Sequence, residues 1–137
     1  MNYDLSKIEF QALKYALTRV AKHGKSVNKN NTMCVYFGDG GKRCGVGWLL
    51  KSESRNRIEN ASPVRRHIEN NGRSSFISRF NGLSLHFLES LQHIHDSLED
   101  EFSVSNIMTL VRASFGGITI KQQAILKKTI ESAVEAK

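Results

Sequence analysis

The chain has 137 residues, of which 39% are hydrophobic and 24% charged, and its formal net charge at pH 7 is +7. This length is sufficient for one domain with a core of its own, and the hydrophobic content with a single proline excludes a disordered chain and favours a mostly helical one. No apolar run approaches the roughly 18 residues of a membrane span and no secretory leader begins the sequence, so we expect a cytoplasmic protein.

Apolar residues at helical spacing predict a first helix over residues 5–23. Asp4 or Ser6 is available as its N-cap, and Gly24 lies just past its end. The predicted core residues of this helix are Leu5, Ile8, Ala12, Leu13, Ala16, Leu17 and Val20.

The next segment predicts a two-stranded β-hairpin, with MCVYF as one strand, GDGG as the turn and KRCGV as the returning strand. The register of this hairpin stays open. A three-residue loop would place Cys34 opposite Cys44, whereas a loop of two or four residues would send them to opposite faces of the hairpin.

The two cysteines have three possible roles: zinc ligands, a catalytic thiol, or small buried residues that anchor the hairpin. Cys34 and Cys44 are separated by nine residues, whereas the usual zinc pairs are separated by about two to four. A thiol at Cys44 would lie beside the positive charges of Lys42 and Arg43, which favour the thiolate. Free cysteine is among the most buried residue types, so we interpret both as structural thiols.

The positive charge is concentrated in the middle of the chain. Residues 42–79 carry a net charge of +6 and seven of the nine arginines, whereas residues 80–118 carry −4 and residues 1–30 carry +4. The planar guanidinium suits phosphates and carboxylates, so the arginine-rich segment predicts a surface for a polyanionic or acidic partner. A solvated surface that only aids solubility is the alternative. The predicted partner-binding residues are Lys42, Arg43, Arg55, Arg57, Arg65, Arg66, Arg73 and Arg79.

Four further helical patterns follow the hairpin. A short helix from Ser62 to Gly72, with proline at its first position, is followed by a helix capped by Ser84. Residues 103–117 form the next pattern, and a capping box of Thr119 with a glutamine at position 122 begins the last. The predicted core residues of the last three helices are Phe87, Leu88, Leu91, Ile94, Leu98, Val104, Ile107, Met108, Val111, Phe115, Ile120, Leu126, Ile130, Ala133 and Val134.

Three histidines lie on the helix that begins after Ser84. At 100° per residue, His95 falls on the apolar face, whereas His86 and His93 fall on the opposite, solvent-facing side. His93 and His95 therefore diverge and cannot share one metal ion. An inward histidine either satisfies its ring nitrogens by hydrogen bonds or acts as a base, and we favour the first. The residues to which we assign a structural role are Cys34, Cys44, His95, Asp96 and Gln92.

Two segments, CVYFGDGGKRCGVGWLL and LQHIHD, together resemble the paired signatures of a small family encoded by phages and prophages. The chain departs from the family pattern after Leu50, where it continues with KSESRNR. The resemblance implies a mobile-element origin, no established activity, and packing of the hairpin on the histidine helix. The matching positions are Cys34, Tyr36, Gly40, Lys42, Cys44, Gly47, Leu49, Leu91, Gln92, Ile94, His95 and Asp96.

The predicted fold is α+β and predominantly α: a single domain of five to six helices around a small two-stranded β-hairpin. The predicted function is that of a non-enzymatic binding protein of phage or mobile-element origin, which engages nucleic acid or a host nucleic-acid-associated complex and inhibits host defence. A virion structural or assembly factor is the alternative, and an enzyme that uses Cys34 or Cys44 with His95 is a third possibility. No cofactor is expected.

Overall fold

The computed structural model describes residues 5–24, 48–49, 83–98 and 102–135. Trp48 and Leu49 have helical conformation. The described residues otherwise form four helices, which are α1 (Lys7–His23), α2 (Leu85–Ser97), α3 (Val104–Ser114) and α4 (Ile120–Glu135).

The predicted α+β fold, with five to six helices around a β-hairpin, is wrong for the part of the chain that the structure describes. That part contains four helices and no strand, and 82% of it is helical. Leu49, which follows the predicted hairpin, is fully buried within a core made of helices. The β-hairpin was predicted at the centre of the core from the β-propensity of a short apolar run. That propensity reflects how side chains pack and not a preference of the backbone, so it does not determine which elements form the core.

Several predicted features lie outside the described residues: both strands of the hairpin with Cys34 and Cys44, the helix from Ser62 to Gly72, and the eight predicted partner-binding residues between positions 42 and 79. These remain predictions.

The predicted N-caps Ser6, Ser84 and Thr119 are confirmed by hydrogen bonds, and Ser103 is a further N-cap. Ser6 caps α1, Ser84 caps α2 and Ser103 caps α3, each through a hydroxyl that accepts a backbone N–H three residues further on. At α4 the Thr119 hydroxyl accepts the N–H of Gln122 at 3.0 Å, and the Gln122 side chain accepts the N–H of Thr119 at 3.0 Å. This reciprocal pair is the predicted capping box.

The end of α1 requires glycine. Gly24 has φ 93° and ψ 175°, a region that is open almost only to glycine, and its N–H donates to the carbonyl of Val20 at 2.7 Å. The bond satisfies one of the last carbonyls of the helix.

The core lies where the apolar faces of the four helices meet. Within the described residues α1 packs most extensively against α4. Helix α2 packs against α3. In addition, α3 packs against α4 and α1 packs against α2. The rings of Phe87 and Phe115 lie 5.7 Å apart at 31° and join α2 to the end of α3. The fully buried side chains of largest volume are Phe87, Phe115, Leu13, Leu17, Leu49, Leu91, Ile94, Ile107, Leu126 and Ile130.

Three predicted core residues are instead exposed: Ile8 by 47%, Ile120 by 85% and Val134 by 37%. All three lie in the first or last turn of their helices. The helical period gives the direction of a side chain but not how far a neighbouring helix extends, so prediction was weakest at the helix ends.

Candidate anion-binding groove

A groove of about 470 Å³ lies along α1 and is bordered by α4. Among the described residues that line it, three are basic and none is acidic. The α4 side contributes one hydroxyl and one methyl side chain. The lining residues are Gln11, Lys14, Tyr15, Thr18, Arg19, Lys22, Thr129 and Ala133.

The groove exists because α1 has two distinct faces. At 100° per residue, the six lining residues of α1 occupy an arc of about 140°. The buried side chains of α1, among them Leu13, Ala16 and Val20, lie on the opposite side of the helix. The cations thus line the face of α1 that the core does not use.

Arg19 is positioned by two aromatic rings. Its guanidinium carbon lies 5.4 Å from the centroid of Tyr15 and 5.9 Å from that of Trp48. Trp48 in turn stacks on His23, with centroids 4.9 Å apart and planes at 28°. Since cation–π contacts favour a cation over the ring face, these rings hold the guanidinium beside the groove.

No carboxylate of the described residues forms an ion pair with the three groove cations. Lys14 places its Nζ 5.2 Å from the centroid of Phe10, and Lys22 is exposed in the last turn of α1. Three like charges without a counter-charge attract an anion more strongly than the same number in ion pairs. The groove is therefore a candidate site for an anionic ligand.

Thr18 adds a buried polar atom beside the cations. Its hydroxyl oxygen has no hydrogen-bond partner among the described residues. The hydroxyl of Thr129, across the groove, donates to the carbonyl of Ile125 at 2.8 Å. The hydroxyl of Thr129 therefore has a hydrogen-bond partner among the described residues, whereas the hydroxyl of Thr18 has none.

The chain matches no family model, no curated protein and no solved structure. The groove is thus interpreted from its own chemistry.

His95 is placed as predicted, on the buried face of α2 with no exposed surface. Its Nδ1 lies 3.4 Å from Oδ1 of Asp96, whose side chain is 46% exposed. Gln92, on the same helix, is half-buried. The imidazole is enclosed and contacts Asp96, and the structural role assigned to His95, Asp96 and Gln92 remains a prediction.

His86 and His93 are exposed, as predicted, and line a second groove of about 410 Å³ between α2 and α3 with Glu89. His93 Nε2 lies 3.5 Å from the hydroxyl of Ser97. The described residues contain no group of three or more potential metal ligands, so this groove does not form a candidate metal site.

None of the helices in the described ranges is both long and apolar enough to cross a membrane.

The groove on α1 was not predicted from the sequence, because the predicted binding surface lay among the arginines of residues 42–79. The sequence nevertheless contains a pattern that predicts this basic face of α1. Lys14, Thr18 and Lys22 recur every four residues, and Tyr15 and Arg19 repeat the same spacing one position on, so all five share one side of the helix. The contribution of α4 had no counterpart in the sequence pattern.

Proposed function

We propose that the chain is a non-enzymatic binding protein that engages nucleic acid, or a host complex containing nucleic acid, in the cytoplasm of a host cell. The observation that supports this is the groove on α1, where Lys14, Arg19 and Lys22 line one concavity and no described residue of its lining is acidic. Lysine and arginine together, without base-reading geometry, are typical of contacts to phosphates.

The arginine-rich segment of residues 42–79, most of which lies outside the described residues, is a second proposed basic region. It supplies seven of the nine arginines and remains a proposed partner-binding region. A role as an inhibitor of host defence is proposed only because the resemblance implies a mobile-element origin; the resemblance implies no activity.

The test is fluorescence anisotropy with a labelled 20-nucleotide probe at a series of salt concentrations. Each neutralised phosphate contributes about 0.7 to 0.9 to the slope of log K against log salt, so three groove contacts give about 2 to 3. Replacing Lys14, Arg19 and Lys22 together with glutamine should lower the affinity and reduce the slope by about 2. No measurable affinity at low salt would contradict the proposal of direct binding.

The matched control replaces Lys121, Lys127 and Lys128 on α4 with glutamine. All three are exposed, and none lines the groove on α1. The control removes the same formal charge as the groove variant, so a loss confined to the groove variant excludes a general effect of net charge.

A pull-down from host lysate, with and without nuclease, separates the two forms of the proposal. Binding to nucleic acid alone predicts that captured proteins are lost after nuclease. A protein retained at defined stoichiometry would indicate recognition of a host complex through its protein component.

The alternative of a virion assembly factor requires a continuous apolar surface. The exposed apolar residues of α4 do not supply one. Ile120, Ile125 and Val134 are 85%, 39% and 37% exposed. At 100° per residue Ile125 lies about 140° around the helix from Ile120, and Val134, which shares the side of Ile120, is about 21 Å away from it along the axis.

A further inference from the structure

We infer that the groove on α1 binds a single strand of nucleic acid in preference to duplex, with a base stacked on the layer formed by Arg19 and Tyr15. This inference rests on the proposed function, which it narrows from nucleic acid in general to unpaired strands.

The dimensions of the groove favour a single strand. The groove is lined by side chains of two neighbouring helices, and the major groove of B-DNA alone is about 12 Å wide, so duplex would lie across the groove rather than within it. The groove volume of about 470 Å³ lies within the range of about 300 to 1,000 Å³ that is typical of pockets for small ligands. A nucleotide fits this range, whereas duplex would contact only the rim.

The spacing of the cations suits consecutive phosphates. Lys14 and Lys22 are eight residues apart on one helix, which corresponds to about 12 Å at a rise of about 1.5 Å per residue. Arg19 lies between them along the helix. Phosphates of one strand advance by about 3.4 Å in a duplex and spread further in an extended strand, so the three cations span about three of them.

The aromatic contacts distinguish this groove from a simple cluster of charges. Arg19 lies over the rings of Tyr15 and Trp48, and Tyr15 itself lines the groove. Aromatic rings and guanidinium planes are the surfaces on which proteins stack unpaired bases. An acidic peptide would use the charges but has no base to stack, so the geometry favours nucleic acid.

The experiment compares a 20-nucleotide single strand, the duplex of the same sequence and poly-glutamate as ligands of the full chain. We expect the single strand to bind at least 10-fold more tightly than either. Emission of Trp48, the only tryptophan, should change when the single strand binds, because its ring contacts Arg19.

Two pairs of variants test the stacking. Tyr15→Leu should lower single-strand affinity about 5-fold or more, whereas Tyr15→Phe should retain it. Arg19→Lys keeps the charge but loses the planar group, so it should lower the affinity with an unchanged salt slope. Circular dichroism verifies that each variant is folded. If Tyr15→Leu is unfolded, the affinity of Arg19→Lys alone decides whether stacking contributes to binding.

The outcomes separate this inference from the proposed function. Equal affinity for single strand and duplex, equal affinity for poly-glutamate, or wild-type affinity in both Tyr15→Leu and Arg19→Lys would overturn the inference. If nucleic acid still binds with full affinity after the groove cations are replaced, the inference fails and the proposed function rests on residues 42–79. If no nucleic acid binds, both fail.

Discussion

The carboxylate of Glu9 accepts two hydrogen bonds from Ser84, one from its hydroxyl at 2.9 Å and one from its backbone N–H at 3.0 Å, although 75 positions separate the residues. The other oxygen of Glu9 accepts the N–H of Ser6 at 3.3 Å. Ser6 and Ser84 are the N-caps of α1 and α2. The buried carboxylate of Glu9 therefore accepts hydrogen bonds from the N-cap residues of two helices, where the helix dipoles favour negative charge.

Glu9→Gln should lower the free energy of unfolding by about 1 to 3 kcal/mol, because an amide has one acceptor oxygen where the carboxylate has two, and its NH₂ would face donors of Ser6 or Ser84. Urea denaturation measures the change. Glu131→Gln, on the exposed surface of α4, is the matched control and should remain within about 0.5 kcal/mol of the wild type. Equal stability of the two variants would contradict the proposed importance of the Glu9 bonds.

The direct coupling between Glu9 and Ser84 is accessible by a double-mutant cycle. Ser84→Ala removes an N-cap and should cost about 1 kcal/mol by itself. Because the two side chains bond to each other, the loss in the double variant Glu9→Gln/Ser84→Ala should be smaller than the sum of the single losses by about 0.5 kcal/mol or more. Additive losses would show that the two residues stabilise the fold independently.

Gly24→Ala should destabilise the fold by about 1 to 3 kcal/mol, since a Cβ is disfavoured at φ 93° and ψ 175°. Thermal unfolding followed by circular dichroism measures the loss. Gly116 is the control because it is exposed and its φ is not positive, so Gly116→Ala should change stability much less. A similar melting temperature for both variants would argue against a conformational requirement at Gly24.

His95→Ala should lower stability by about 2 kcal/mol or more, because it opens a cavity at a position with no exposed surface and removes the contact with Asp96. His93→Ala is the matched control on the exposed side of the same helix and should change stability by at most about 0.5 kcal/mol. Denaturant titration compares them. Unchanged stability of His95→Ala would remove the support for its structural role.

Thr18→Val and Thr129→Val should have opposite effects. The Thr18 hydroxyl has no hydrogen-bond partner among the described residues, so valine of similar shape should be neutral or stabilising by up to about 1 kcal/mol. Thr129→Val removes a hydrogen bond to the Ile125 carbonyl and should destabilise by about 0.5 to 1 kcal/mol. Paired urea titrations test this. Destabilisation by Thr18→Val would mean that its hydroxyl is satisfied in the native protein.

The helices of the described residues were predictable because the signals that define them are local. Ser6, Ser84 and Thr119 bond to groups three residues away, and apolar residues repeat at the helical period, so one stretch of sequence contains both signals. The inward position of His95 and the outward position of His93 followed from the same period.

The sequence by itself determined where these four helices begin and which side of each is apolar, since both depend on residues a few positions apart. Only the tertiary structure decided that Glu9 meets Ser84, that Ile120 remains exposed, and that α4 borders the basic face of α1. These depend on which helix covers which face and how far it extends. Such contacts arise from the packing of all the apolar faces together, and no single helical pattern contains that information.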